Sequence, residues 1–125
     1  MPAPAERQPA TAAAPAADDD ESAIRLVVAA YVRAIETKDL ALFRSVKPNL
    51  GAEEERRIQQ GFRAVTSQKV NITILSIERR GEQAVLRLKR QDLIEAGGRR
   101  QAPESQQTMT LAKTNGNWVI VEIGR

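Results

Sequence analysis

The chain of 125 residues contains neither cysteine nor histidine. Without cysteine there is no disulfide and no thiolate nucleophile, and the redox compartment is left open. Without histidine, the commonest general base and the commonest metal ligand are both missing. Aromatic residues are scarce too: one tryptophan, one tyrosine and two phenylalanines. Surfaces that hold nucleic acid usually set aromatics among their basic residues, so a solvated basic surface is the better reading. No run is long and apolar enough to span a membrane. The opening residues lack the basic and apolar regions of a secretory signal, which leaves the cytoplasm as the default expectation.

What is present is unevenly distributed. Residues 1–21 carry one basic and five acidic side chains, or −4; the rest carry 18 basic and 11 acidic, or +7, giving the net +3. Residues 1–20 are rich in alanine and proline and cannot bury a core, so they are expected to be a disordered linker. Residues 21–125 suffice for one modest domain. Such a linker implies the C-terminal domain of a larger bacterial protein, with host domains upstream.

The segment Ser22–Phe43 is the element around which the domain is organised. Ile24, Val27, Val28, Tyr31 and Ile35 form one apolar stripe of a helix, and Asp18–Glu21 are placed to cap its start. Asp39 is a cap for a short second helix through Val46, which Pro48 ends. A third helix is expected over Ala52–Ala64, with Glu53, Glu54 and Glu55 in its first turn. Its thin stripe is Leu50, Ile58, Phe62 and Val65.

From Lys69 the period changes to two. Val70–Ile74 alternates as a half-buried strand, and the phase slips at Ile74–Leu75 as at a bulge. Arg80-Gly81-Glu82 turns into a strand from Gln83 to about Ile94, with Ala84, Leu86 and Leu88 on one face and Arg87 and Lys89 on the other. Glu95–Gly98 reads as a loop. A third strand covers Gln106–Lys113, and Asn115-Gly116 suits a type I′ turn into a last strand, Trp118–Ile123. That strand is apolar on both faces, which predicts a homodimer through the sheet. The fold class is α+β: three helices packed on a curved antiparallel sheet of about four strands.

The order of these elements resembles the nuclear transport factor 2-like superfamily, the cone-shaped fold shared with ketosteroid isomerase and the SnoaL-like proteins. The resemblance covers residues 21–125 and rests on AAYVRAIETKDLALF and on the Gly-x-Trp-x-Ile ending within NGNWVIVEI. It implies that Tyr31 stands where a tyrosine of ketosteroid isomerase stabilises a developing oxyanion. The segment that should carry the isomerase's basic aspartate is here SVKPNLGAEEERR, without one. The second, protonated aspartate has only Asp92 as a counterpart, between polar neighbours.

No nucleophile–base pair, phosphate-binding glycine loop or calcium-loop spacing is found, so no catalytic residue, metal or cofactor is assigned. Arg79-Arg80, Arg87-Lys89-Arg90 and Arg99-Arg100 read as a solvated strand face. The function expected is a non-catalytic module that binds a small apolar ligand or dimerises its host. Tyr31, Phe62, Met109 and Trp118 are the candidates for lining its cavity. The alternatives are a SnoaL- or isomerase-like enzyme using Tyr31 with Asp92 or Glu122, and a basic module binding nucleic acid or an acidic partner. A carboxylate with a raised pKa in an open cavity would favour the enzyme; steep salt dependence would favour the basic module.

Overall fold

Helix α1, Ala13–Thr37, lays Ile24, Val28, Tyr31, Ala34 and Ile35 into the core along a single face. The computed structural model describes residues 13–124, with side chains from Asp19 onward. Residues 1–12 of the expected linker lie outside the described residues, whereas 13–20 are the opening turns of α1. Alanine is the best helix former, so an alanine-rich stretch with the composition of a linker prolongs the helix instead. Asp20 and Glu21 therefore lie within α1 and do not cap it.

Lys38, with φ of 57°, takes the left-handed conformation that closes α1. Asp39 then caps α2, Leu40–Val46, by accepting from the amide of Leu42 at 3.0 Å. Helix α3, Ala52–Ala64, has the three expected glutamates in its first turn. Two of them are ion-paired, Glu55 with Arg44 and Glu54 with Lys47. No residue of α3 is fully buried; Ile58 and Phe62 are half-covered. Among the described residues, no helix is long and apolar enough to cross a membrane.

The strands are β1 (Ser67–Arg80), β2 (Gln83–Ala96), β3 (Arg99–Gln101), β4 (Glu104–Thr114) and β5 (Asn117–Gly124). They form one curved antiparallel sheet in the order β1-β2-β4-β5, with β3 paired to the end of β2. The loop expected at Glu95–Gly98 shrinks to Gly97 and Gly98, and the short β3 follows it in a stretch to which the sequence pattern assigns no strand. Gly97 and Gly98, with φ of 58° and 76°, make the tight turn that lets β2 continue to Ala96. The slip expected in β1 is a bulge at Leu75, between the pairs Ile74–Leu88 and Ser76–Arg87. Asn115 and Gly116, both at positive φ, make the β4–β5 turn.

The helices cover one face of the sheet. Ala84, Leu86 and Leu88 of β2, Met109 and Leu111 of β4, and Trp118 and Ile120 of β5 meet α1 and α2 there. A second bulge, beside Thr110 and Leu111, shifts the register of β5 at Val121. Ile123 consequently packs against the core, and Val119 and Val121 are half-buried. The open edge of β1 is tied to α1 by Glu36, whose carboxylate accepts from the amide of Val70 at 2.9 Å.

Candidate functional site

Side chains on a strand alternate between faces, so the inner face of β2 that runs Ala84, Leu86, Leu88 continues with Arg90 and Asp92. Both are largely buried, with side-chain exposures of 14% and 9%. Buried charges persist when they are paired and hydrogen-bonded, and these two pair with each other. Arg90 Nε donates to Asp92 Oδ1 at 2.7 Å and Nη2 donates to Oδ2 at 2.9 Å. Gln68, on the neighbouring β1, adds a third donor to Oδ2 at 2.7 Å.

The remaining end of the guanidinium reaches the helix layer. Arg90 Nη1 donates to the Tyr31 hydroxyl at 2.9 Å, across 59 residues of sequence. The guanidinium carbon lies 5.9 Å from the centre of the Tyr31 ring, and the Phe43 ring is tilted against that ring at 5.5 Å. Because the hydroxyl oxygen accepts from Arg90, its own proton remains available. No acceptor for it is found among the described residues.

Burial alone would raise the pKa of Asp92, but hydrogen bonds from Arg90 and Gln68 and the Arg90 charge outweigh it. The carboxyl is held below its ordinary value. Burial acts likewise against the Arg90 guanidinium, and its bonds to Asp92 more than compensate, so its pKa is raised. Asp92 is therefore an ionised partner, unlike the protonated strand aspartate of the isomerase pattern. Stability linked to a depressed carboxyl pKa is fully present above its unfolded value, about 3.9, and is lost as pH falls through the folded value. Asp20, Glu55 and Glu95 are also lowered. With no histidine or cysteine to titrate between pH 5 and 8, denaturation midpoints should be nearly flat there and fall below about pH 4. Asp92→Asn should fall less steeply than the parent; an equal acid slope would deny Asp92 this part.

Tyr31 also borders a cleft of about 490 Å³ between the helices and β5. Phe43, Ile58 and Ile123 supply apolar walls; Lys47, Arg57 and Glu122 bring charge. Lys47 is buried, and its ammonium donates to Asn49 Oδ1 at 3.2 Å and Glu54 Oε2 at 3.3 Å. No group of side chains that could hold a metal ion is found among the described residues.

Of the four residues singled out from sequence, Tyr31 alone lines this cleft. Phe62 is half-buried on α3, outside its lining. Met109 is fully buried, set between Leu86 and Ile123 in the ladders. Trp118 is buried near the opposite end of β4, beside Lys113, whereas Arg90 pairs with Ser105. Those eight residues correspond to roughly 26 Å. There the indole N–H donates to Asp20 Oδ1 at 3.3 Å, and Arg79 lies 5.0 Å above the ring. Asp20 also binds Lys113 and Arg79, each at 3.1 Å. Arg90 does not belong with Arg87 and Lys89 on a solvated face, because those two are exposed on the outer side of the sheet. The signal that separates them is parity with Leu86 and Leu88, followed by Asp92 two residues on.

No protein-family model matches the chain, and no curated protein sequence does. Solved structures do. A nuclear transport factor 2-like protein with a cystatin-like fold from Novosphingobium aromaticivorans aligns with a TM-score of 0.75 at 16% identity, covering 89% of this chain and 83% of that one. A nuclear transport factor 2-like superfamily protein from Salmonella enterica aligns at 0.70 and 17% identity, over 86% and 90%. A candidate dehydratase of the same family from Streptomyces avermitilis aligns at 0.76 and 14% identity, over 86% and 95%. Helices in this order on this curved sheet give the chain the nuclear transport factor 2-like fold.

Proposed function

We propose that the domain is a non-catalytic module that binds a small, mainly apolar molecule in the cleft beside Tyr31. The observation that carries this reading is the Tyr31 hydroxyl. It is polarised by accepting from Arg90 and keeps a proton to donate to an oxygen of the ligand. Phe43, Ile58 and Ile123 supply the apolar contact such a ligand needs. The chemistry for turnover is thin. The chain has no histidine or cysteine, Asp92 is engaged by three hydrogen bonds, and Glu54 is paired with Lys47.

1-Naphthoate, an aromatic ring bearing a carboxylate, is a suitable probe. Its addition should shift the methyl resonances of Ile58 and Ile123 saturably. One hydrogen bond is worth about 0.5–1.5 kcal/mol, so Tyr31→Phe should weaken binding by about three- to tenfold. Equal affinity in the parent and Tyr31→Phe would remove the reading.

A second reading, an enzyme that eliminates water, draws on the description of the Streptomyces avermitilis neighbour. Its base would be Glu122, the exposed carboxylate on the cleft lining. Turnover that Glu122→Gln abolishes while naphthoate binding persists would establish that reading instead.

A further inference from the structure

Helix α3 closes one side of the cleft, contributing Glu54, Arg57 and Ile58 to its lining. Apolar burial gives it little hold on the rest of the domain. None of its residues is fully buried, whereas the shorter α2 buries Phe43 and Val46. Among the described residues, Ile58 is the one apolar side chain that α3 packs against the core cluster. Its attachments are instead polar and sit at its ends. In the first turn, Arg44 Nε donates to Glu55 Oε2 at 2.8 Å. Lys47 bonds both Glu54 and Asn49, and Asn49 Nδ2 donates to the Val121 carbonyl of β5 at 3.0 Å, so this turn is braced to the sheet. Just past the last turn, the Lys38 ammonium donates to the carbonyls of Val65 and Thr66.

Gly61 lies in the stretch between these ties, and packing does not explain it. It sits inside the helix, without a positive φ, and an added Cβ would meet nothing within 4 Å. Neither backbone conformation nor a close approach therefore requires glycine, although glycine weakens a helix interior relative to alanine. The position of this weak point matters, because an α-helical amide bonds to the carbonyl four residues earlier. The amides of Gly61 and Phe62 thus hold the carbonyls of Arg57 and Ile58, the mid-helix residues that line the cleft. A segment with little buried apolar surface opens at a lower free energy than the core does.

We infer that α3 is the gate of the cleft: between its tied ends, the turns around Gly61 unwind locally, carry Arg57 and Ile58 off the cleft, and re-form over the ligand. The ties at both ends keep the segment in place while it is open, and the glycine between them sets how often it opens. The inference rests on the binding-module reading and adds to it the route by which the ligand enters.

The test compares the full chain with Gly61→Ala, a change for which the helix has room. In the parent, the amides of residues 61–64 should exchange with solvent faster than those of β2, and naphthoate should protect them. Gly61→Ala should slow their exchange about two- to fivefold, the usual difference between glycine and alanine in a helix. Naphthoate association and dissociation rates, read from nuclear magnetic resonance line shapes, should fall by the same factor, because entry and exit both need the open helix. The dissociation constant should stay unchanged, because the closed helix is stabilised equally in the free and bound states. Gln60→Gly, at the exposed neighbouring position, should raise both rates about twofold. Exchange at 61–64 no faster than in β2, or naphthoate rates unchanged in Gly61→Ala, would overturn the gate. Unchanged rates leave the binding reading standing, whereas an absence of naphthoate shifts at Ile58 and Ile123 removes that reading and the gate with it.

Discussion

Arg90→Ala is expected to destabilise the domain by about 3–5 kcal/mol, the usual cost of removing one partner from a buried ion pair. The substitution strips Asp92 of both bonds of its fork and leaves Gln68 as its sole remaining donor. It also takes away the donor to the Tyr31 hydroxyl. Urea denaturation monitored by circular dichroism measures the loss. Arg87→Ala is the control, because Arg87 lies three residues away on the same strand and is exposed; its effect should stay within about 0.5 kcal/mol. Replacing both partners, as Arg90→Met with Asp92→Leu, should recover most of the loss, since apolar substitution of a whole buried pair is often nearly neutral. A single variant no worse than Arg87→Ala would show that the pair is solvated and does not hold the site together. The double variant also separates roles, because a chain that folds without the pair should still bind naphthoate more weakly than the parent, by no more than Tyr31→Phe does.

Trp118→Ala should cost a comparable amount, about 3–5 kcal/mol, through lost burial and the cavity left behind. Trp118 is 5% exposed, within the cluster that includes Ile120 and Leu111. Its indole N–H is also one of the groups that hold Asp20, so the substitution loosens the opening turns of α1 from the sheet. Asp20→Asn tests that part alone. It retains the ring and weakens the links to Lys113 and Arg79, with a loss well below that of Trp118→Ala because these links are partly exposed. Hydrogen exchange would locate the change: amides of residues 19–23 should exchange faster in both variants, whereas those of β2 should respond to Trp118→Ala alone. With a total stability of roughly 5–15 kcal/mol for a domain, the tryptophan variant is placed near the limit of folding. A loss under about 1 kcal/mol would mean that the ring is not part of the packed core.

Most of the local architecture is legible in the sequence because local chemistry specifies it. The Asp39 cap, the glutamates opening α3, the phase slip at Leu75 and the Asn115-Gly116 turn each depend on residues close in sequence, and each is where the pattern puts it. The departures have physical causes as well. Residues 13–20 have the alanine and proline content of a linker, yet alanine propagates a helix that tertiary packing has already nucleated. The Gly97-Gly98 turn extends β2 and adds β3, because two glycines tolerate consecutive positive φ values. The bulge at Val121 turns Ile123 toward the core, which a strict alternation over Trp118–Ile123 could not anticipate.

The candidate site is only partly legible. Tyr31 stands out as a polar tip on an apolar stripe, and Asp92 as a lone carboxylate on a strand. Arg90 looks like one more cation beside Arg87 and Lys89. By itself, then, the sequence determined the elements, the faces they bury, and the absence of histidine and cysteine chemistry, since all three come from composition and short-range period. Tertiary structure alone decided that Arg90 would join Asp92 to Tyr31, and that α3 would line the cleft without fully burying a residue. The reason is distance along the chain. Periodicity tells a side chain which way to point, but only the packing of α1 on the sheet determines what it meets there.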